Sequence, residues 1–456
     1  MEADAARPLR HASSRSATGG ANLRRMVDRI RLRPAAPFAT ELRPPGSKSI
    51  TNRALLLAAT ARGRSTLHGW LDADDTRHMR SCLTALDIEN RGQPGEALVV
   101  EGSAGPIAAR PETPELFVGT AGTVARFLLA VLAGSPGRVR LDGTPRMRER
   151  PMAALVDALR AQGASIACPL VEGALPMEVG PHTQRLKGGE VRLARPASSQ
   201  FVSGLVLAGS LAAAPTTIVL EQGTPARPYI DMTLAVLEAF GGSAGWEGDD
   251  VLVVHPSELR GRRYVVEPDA SAASYLLALA AISGGRMTVP ELGRTSLQGD
   301  VRFADVLARL GADVRQDATS TTVVGGRPLR GGTFDLSDMP DMTLTLAVTA
   351  LFAEGPTRIT GVGILRHHES DRLAASATEL RKLGAAVTEE PEGLVIAPPL
   401  RGLRSGVEIE TYDDHRMAMA FALAGDVTII DPGCVGKTYP EYFNDLAKLG
   451  MVVPER

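Results

Sequence analysis

Lys48, Ser49 and Arg53 stand at the mouth of an apolar run in "RPPGSKSITNRALLLAAT" (43–60), where together they could hold an anion. A nucleotide loop of the Walker type is excluded: Ser47 takes the place of its second glycine, and Pro44 and Pro45 each lack an amide donor. A helix opening at Ser47 is enough, because its first N–H groups have no internal partner and its dipole is positive there. Five further apolar runs open on similar residues. Gly122 and Thr123 begin "GTVARFLLAVLA", Ser198, Ser199 and Gln200 begin "SSQFVSGLVLAGSLA", and Asp269 precedes "ASAASYLLALAAI". Asp341 begins "DMTLTLAVTALFA", and Asp414 leads into "HRMAMAFALA" with His415 and Arg416. Helix capping alone is an alternative for each, since Ser, Thr and Asp are favoured at helix starts. It leaves Arg53, Arg126 and Arg416 unexplained, because they sit on runs too apolar to expose them and a buried guanidinium requires an anion. Six such openings, if they converge, form one socket for a polyanion.

The elements that must position these residues repeat. A second series of amphipathic segments, each closing on a turn residue before a strand-like stretch, carries the markers Asp87, Gly163, Gly241, Gly311, Gly384 and Gly450. Five are glycine, the residue a helix C-terminus prefers. Both series recur about every 70 residues, and β-branched runs such as "TTIVLEQ", "VLVVHP", "TRITGVG" and "VTIIDP" fill the gaps. The chain therefore reads as six α/β units, each with strands, one buried helix and one half-exposed helix.

Composition bounds the function. At 456 residues two domains are expected. Apolar residues make up 44% and aromatic ones only 4%, so the core is built of Ala, Leu and Val. A net charge of −2 offers no general field for nucleic acid or an anionic membrane, and no apolar stretch approaches the roughly 18 residues of a membrane span. Cys82, Cys168 and Cys434 are too few and too scattered for a disulfide framework or a zinc site, which suits the cytoplasm. Residues 1–27 carry arginines among Ala, Ser and Gly without an apolar secretory core, and are expected to be a disordered tail; a transit peptide, or a start at Met26, are the alternatives.

From about residue 30 onward the chain resembles the 5-enolpyruvylshikimate-3-phosphate synthase family. The resemblance rests on "PGSKSITNRAL", "GTAGTVAR", "DGTPRMRERPM", "SSQFVSGL", "RPYIDMT", "EPDASAAS", "MPDMT", "HESDRL", "TYDDHRMAM" and "KTYPEYF" taken together. It implies a two-domain inside-out α/β barrel, each domain three βαβαββ repeats, with the active site in the interdomain cleft. The expected domains are residues 47–267, and residues 28–46 with 268–456. The implied reaction adds the 5-hydroxyl of shikimate 3-phosphate to the enol carbon of phosphoenolpyruvate while its methylene is protonated; phosphate then leaves. Each substrate carries a charge of about −3, so cations and amide dipoles are the first requirement.

Carried over by motif, Lys48, Gly122, Arg150, Gln200, Arg372, Arg416 and Lys437 resemble the phosphoenolpyruvate site. Lys48, Ser49, Arg53, Ser198, Ser199, Gln200, Tyr229, Asp341 and His368 resemble the shikimate 3-phosphate site. Asp341 is expected to polarise the 5-hydroxyl, Glu369 to protonate the methylene through a raised pKa, and Asp371 to orient Arg372. Lys48 joins Asp341 and Glu369 as catalytic; only five lysines occur among the 50 basic residues, so retaining lysine at 48 and 437 suggests that an ammonium is needed. His415 is expected to position its neighbours rather than act as a base.

Thr120, Phe127, Ala226, Ile364 and His368 depart from the commonest family residues. A histidine at 368, in place of a lysine, is expected to weaken phosphate binding as pH rises through its pKa. Gly122 motivates an expectation of glyphosate sensitivity. Reading His367, His368, Glu369 and Asp371 as a metal cluster is disfavoured, because adjacent residues seldom point at one ion; neither a metal nor an organic cofactor is expected. The nearest rival, the related UDP-N-acetylglucosamine enolpyruvyl transferase, has the same fold but recognises a nucleotide sugar and generally relies on a loop cysteine, and "DGTPRMRERP" has none. A binding module with the fold but no turnover is the rival from another class. The expected partners are the two small substrates alone, and the expected state is a monomer.

Overall fold

The computed structural model describes residues 28–109, 112–194, 196, 198–224 and 226–454, so the 1–27 segment lies outside the described residues. The six fully apolar runs form the helices Lys48–Thr60, Gly122–Leu132, Ser199–Gly209, Ala270–Ser283, Thr343–Thr349 and His415–Phe421. The last two are shorter than the pattern suggests. Pro340 starts the fifth as a 3₁₀ turn, Pro340–Met342, and both end in a further 3₁₀ turn, Ala350–Phe352 and Ala422–Ala424. Among the described residues no helix is long and apolar enough to cross a membrane.

The alternating, half-exposed helices are Asp74–Ala85, Ala153–Ala161, Pro228–Ala239, Phe303–Leu310, Arg372–Lys382 and Tyr442–Lys448. The markers that follow them share one backbone state: Asp87, Gly163, Gly241, Gly311, Gly384 and Gly450 have φ of 63°, 96°, 89°, 112°, 99° and 74°. A left-handed residue ends the helix and throws the chain into the next strand. The aspartate obeys the same geometry as the five glycines.

Each unit builds a small sheet from one parallel pair followed by antiparallel strands. In the second unit Glu115–Phe117 runs parallel to Gly137–Asp142, which pairs antiparallel with Met177–His182 and then Ile166–Ala167. The third and fifth units repeat this order. In the first and fourth units the leading strand comes from afar: Arg263–Val265 pairs with Arg62–His68, and Ala39–Glu41 with Arg286–Pro290. The sixth sheet is completed by Arg29–Arg31, antiparallel to Val427–Ile430. The buried apolar residues accordingly form two separate cores, one running from Ile50 to Val266 and one joining Leu32 to residues from Ala270 to Met451.

The two chain passages between these cores lie side by side. Ser47 N donates to Glu267 O at 2.8 Å, and Asp269 N donates to Pro45 O at 2.8 Å. Asp269 then caps two helices from opposite halves: Oδ1 accepts Ala272 N at 2.9 Å and Oδ2 accepts Lys48 N at 3.0 Å. Asp269→Ala, which removes both acceptors, is expected to lower unfolding stability by about 1–2 kcal/mol in a urea titration, with Asp269→Asn recovering part of the loss. An unchanged midpoint in Asp269→Ala would contradict the double cap.

Candidate active site

The helix openings converge. Lys48, Gly122, Thr123, Gln200, Asp341 and Arg416, from five different buried helices and their leading turns, line one cavity of about 40 Å³ together with Asp75, Arg150, His368, Glu369 and Arg372. The fourth buried helix joins them through Asp269 and the Lys48 amide. A smaller cavity shares Arg150, Gln200 and His368 and adds Arg126, Ser198, Phe201 and Ile364. Ser47, Ser198 and Asp414 do cap their helices, accepting from Ile50 N, Gln200 N and Arg416 N. Capping and site placement therefore coincide. Gly122–Leu132 and Thr343–Thr349 have no side-chain cap at their starts, and the first of these leaves its opening amides available beside the cavity.

Arg372 is the hub. It is 1% exposed, and its guanidinium meets Asp414 at 2.7 Å, Glu369 at 2.9 Å and Asp341 at 3.0 Å. Asp341 also takes Arg416 at 2.6 Å. Burial opposes its ionisation, but Arg416 and then Arg372 hold the Asp341 carboxyl down at about 2. Lys437, from the same half as Glu369, lies 2.9 Å from its Oε1 and reaches across to the other half to donate to Thr120 Oγ1 at 3.1 Å. Asp75 sits between the two lysines, 3.2 Å from Lys48 and 3.9 Å from Lys437. Arg146 closes the rim by donating to the carbonyls of His368 and Glu369 at 2.9 and 3.0 Å.

Two cations are left without a carboxylate. Among the described residues neither Arg126 nor Arg150 makes an ion pair, and the Nε of each is buried without a partner. Arg126 donates to Gln200 Oε1 at 2.9 Å and lies over the Phe201 ring. Burial, and then Arg150 beside it, press its pKa well below the usual arginine value. Both guanidiniums crowd Gly122: a Cβ there would stand 2.3 Å from Arg126 Nη1 and 2.8 Å from Arg150 Nη1 and Nη2. An anion-sized gap beside two unneutralised, desolvated cations is a site built to bind negative charge.

Several expectations require correction. Glu369 was expected to have a raised pKa; burial does act in that direction, but Lys437, Arg372 and Arg150 outweigh it and hold the carboxyl well below the usual range. His368 was expected to titrate near neutrality; burial, and then Arg372, whose Nη1 lies 3.0 Å from its Nδ1, push it down to about 3, so it is a neutral imidazole. Asp371 does not touch Arg372: it caps the helix at Ala374 N and pairs with Arg366 at 3.2 Å, while Asp414 takes the orienting role. Arg53 shows that a buried guanidinium can do without an anion. It donates to Thr233 Oγ1, Ser49 O, Tyr229 O and Ser203 Oγ, lies over Phe127, and burial lowers its pKa to about 10. Ser49, Arg53, Ser199 and Tyr229 are not among the residues that line the two cavities, and the Tyr229 hydroxyl lies 3.5 Å from Asp341, which lines one of them. His415 is buried, and burial, then Lys48 and Arg416, keep it neutral. Sequence reading missed Asp75 and Asp300. Asp75 lies in the first turn of a half-exposed helix, Asp74–Ala85, outside the apolar runs whose openings line the cavity.

A match to the family described as EPSP synthase (3-phosphoshikimate 1-carboxyvinyltransferase) spans residues 32–446. A 3-phosphoshikimate 1-carboxyvinyltransferase from Shewanella amazonensis is 42% identical over 439 residues, 93% of this chain and 99% of that protein. One from Erwinia tasmaniensis is 43% identical over 433 residues, 93% of this chain and 99% of that protein. Among solved structures, an EPSP synthase from Acinetobacter baumannii superposes with a TM-score of 0.77 at 26% identity, covering 92% of this chain and 98% of that one. The enolpyruvyl transferase NikO from Streptomyces tendae shares the fold, with a TM-score of 0.75 at 20% identity over 93% of this chain and 99% of that one. The chain has the two-domain inside-out α/β architecture and belongs to the EPSP synthase family.

Proposed function

We propose that this chain transfers the enolpyruvyl group of phosphoenolpyruvate to the 5-hydroxyl of shikimate 3-phosphate and releases phosphate. The observation that carries this reading is the cavity itself: five buried-helix openings with Lys48, Arg150, Arg372 and Arg416 around one gap, as two trianionic substrates require. The domains are taken as 47–267, and 28–46 with 268–456, hinged at the paired passages beside Gly46 and Pro268. A cavity of about 40 Å³ admits a few waters but neither substrate, so substrates enter an opened cleft and closure then excludes solvent. One chain supplies both walls, which supports a monomer; three free thiols suit the cytoplasm.

In the proposed cycle Arg150, Arg372, Arg416 and Lys437 take the carboxylate and phosphate of phosphoenolpyruvate, with Lys48 and Gln200 between the two substrates. Ser198, Ser199 and Tyr229 serve shikimate 3-phosphate. Asp341, ionised in the free site, accepts first the hydrogen bond and then the proton of the 5-hydroxyl as the new O–C bond forms, while Glu369 delivers a proton to the methylene carbon. The methyl group then returns a proton to Glu369 while the bond to phosphate breaks, and the leaving phosphate takes the proton held on Asp341. Glu369 can serve because the substrate anions draw Lys437 and Arg372 off its carboxylate, raising a pKa that those cations hold down in the free site. A binder without turnover would retain shikimate 3-phosphate and release nothing.

Phosphate release from the two substrates tests this reading. Arg372→Ala is expected to lower kcat/KM by on the order of 10³, and Glu369→Gln to lower kcat by about 10²–10⁴; full turnover in either variant rejects the assignment. Gly122→Ala should raise the KM for phosphoenolpyruvate about 10- to 100-fold by displacing Arg126 and Arg150, with shikimate 3-phosphate affinity much less affected. His368 should keep the nitrogen shifts of a neutral imidazole from pH 8 down to 5 in an NMR titration; a step near 6.5 would show that Arg372 does not suppress its protonation.

A further inference from the structure

Asp300 is a carboxylate the reaction has no stated use for, on the 3₁₀ turn Gly299–Arg302 and 4% exposed. Among the described residues it makes no ion pair. Its partners are two hydroxyls: Ser271 Oγ at 2.5 Å, and Tyr229 Oη at 2.9 and 3.0 Å from its two oxygens. The same phenol oxygen lies 3.5 Å from Asp341 Oδ2. One phenol thus stands between two carboxylates, the buried Asp300 and the partly exposed Asp341, and has a single proton to give.

We propose that Asp300 is a positioning residue for Asp341, because its charge decides which carboxylate receives the Tyr229 proton and hence whether Asp341 keeps a lone pair free for the substrate hydroxyl. The proposal rests on the role given to Asp341 above. With Asp300 ionised, both hydroxyls point at it, and Asp341 Oδ2 answers only to Arg416. With Asp300 protonated, its O–H donates to the phenol oxygen, and its other oxygen, now neutral, is a weaker acceptor than the ionised Asp341 Oδ2, so the phenol turns its own proton onto Asp341. That oxygen then has two donors and is a poorer acceptor for substrate.

The surroundings place this exchange in the working pH range. Burial first, then the charge of Asp341, raise the Asp300 carboxyl to about 6 against the opposing pull of Ser271, Arg416 and Tyr229. Asp341 holds both arginines, Arg372 and Arg416, and so stays ionised while Asp300 titrates. Activity is therefore expected to fall as pH drops through about 6, in addition to any effect of substrate phosphate ionisation, which is common to every variant.

Phosphate release, with kcat measured from pH 5 to 9 at saturating substrates, tests this, with melting temperature as the folding control. Asp300→Asn carries a permanent donor toward Tyr229 and mimics the acid form; kcat at pH 8 should drop about 10-fold and the acid limb should disappear. Tyr229→Phe removes the messenger, so the double variant should match Tyr229→Phe alone rather than add the two losses. An Asp300→Asn profile identical to the unaltered enzyme, or additive losses in the double variant, overturns the proposal. Asp341→Asn separates the readings: if it leaves turnover intact, the assignment of Asp341 itself fails, whatever Asp300 does.

Discussion

A buried charge must find its opposite, and Arg372 is where this chain meets that demand most completely. A guanidinium at 1% exposure pays its desolvation cost through Asp414, Glu369 and Asp341, three carboxylates from three separate turns. Each of those turns is thereby held in place, and each brings a further group with it: Glu369 brings Lys437, Asp341 brings Arg416, and Asp414 caps the helix His415–Phe421 at the Arg416 amide. The rest of the cleft is organised around these contacts.

The same accounting explains why the site is closed and yet ready for anions. The cations Lys48, Lys437, Arg372 and Arg416 are matched by Asp75, Glu369, Asp341 and Asp414, whereas among the described residues Arg126 and Arg150 are matched by no carboxylate. An arriving phosphate meets two cations already stripped of water, and its further bonds come from exchanging internal carboxylates for its own oxygens. Such an exchange nearly conserves charge pairing, so the chain keeps a dry interior before and after binding without leaving a charge stranded.

The fold could be read from sequence because its signals are repeated six times. One marker in the wrong chemical class, Asp87, did not hide the period, and its φ of 63° shows why: the position demands a left-handed backbone, which aspartate tolerates. The helix openings could be read for the same reason. The charge states could not. Glu369, His368 and Asp371 lie within four residues of one another, and only the packing decides that the first is held ionised, the second neutral, and the third turned away to cap the helix. Asp75 and Asp300 had no motif to mark them, since their partners Lys48, Lys437, Tyr229 and Ser271 lie far off in sequence.

The turn that delivers Asp414 and Arg416 shows how far the chain goes to keep that packing. Tyr412 and Asp413 both adopt left-handed backbone, with φ of 55° and 54°, a conformation costing roughly 1 kcal/mol or more for each non-glycine residue. Glycine would relieve it, but glycine would also loosen the turn. The strain is held instead by the helix Arg372–Lys382 at two points: Arg372 grips Asp414 at its start, and the fully buried Glu379, two turns further on, accepts Tyr412 Oη at 2.8 Å and Glu410 N at 3.2 Å. A rigid rod clamping a strained turn at both ends fixes Arg416 before any substrate arrives, so binding need not supply that ordering. The repeat supplies the rod and the opening helix; the buried ion pairs turn that scaffold into a site.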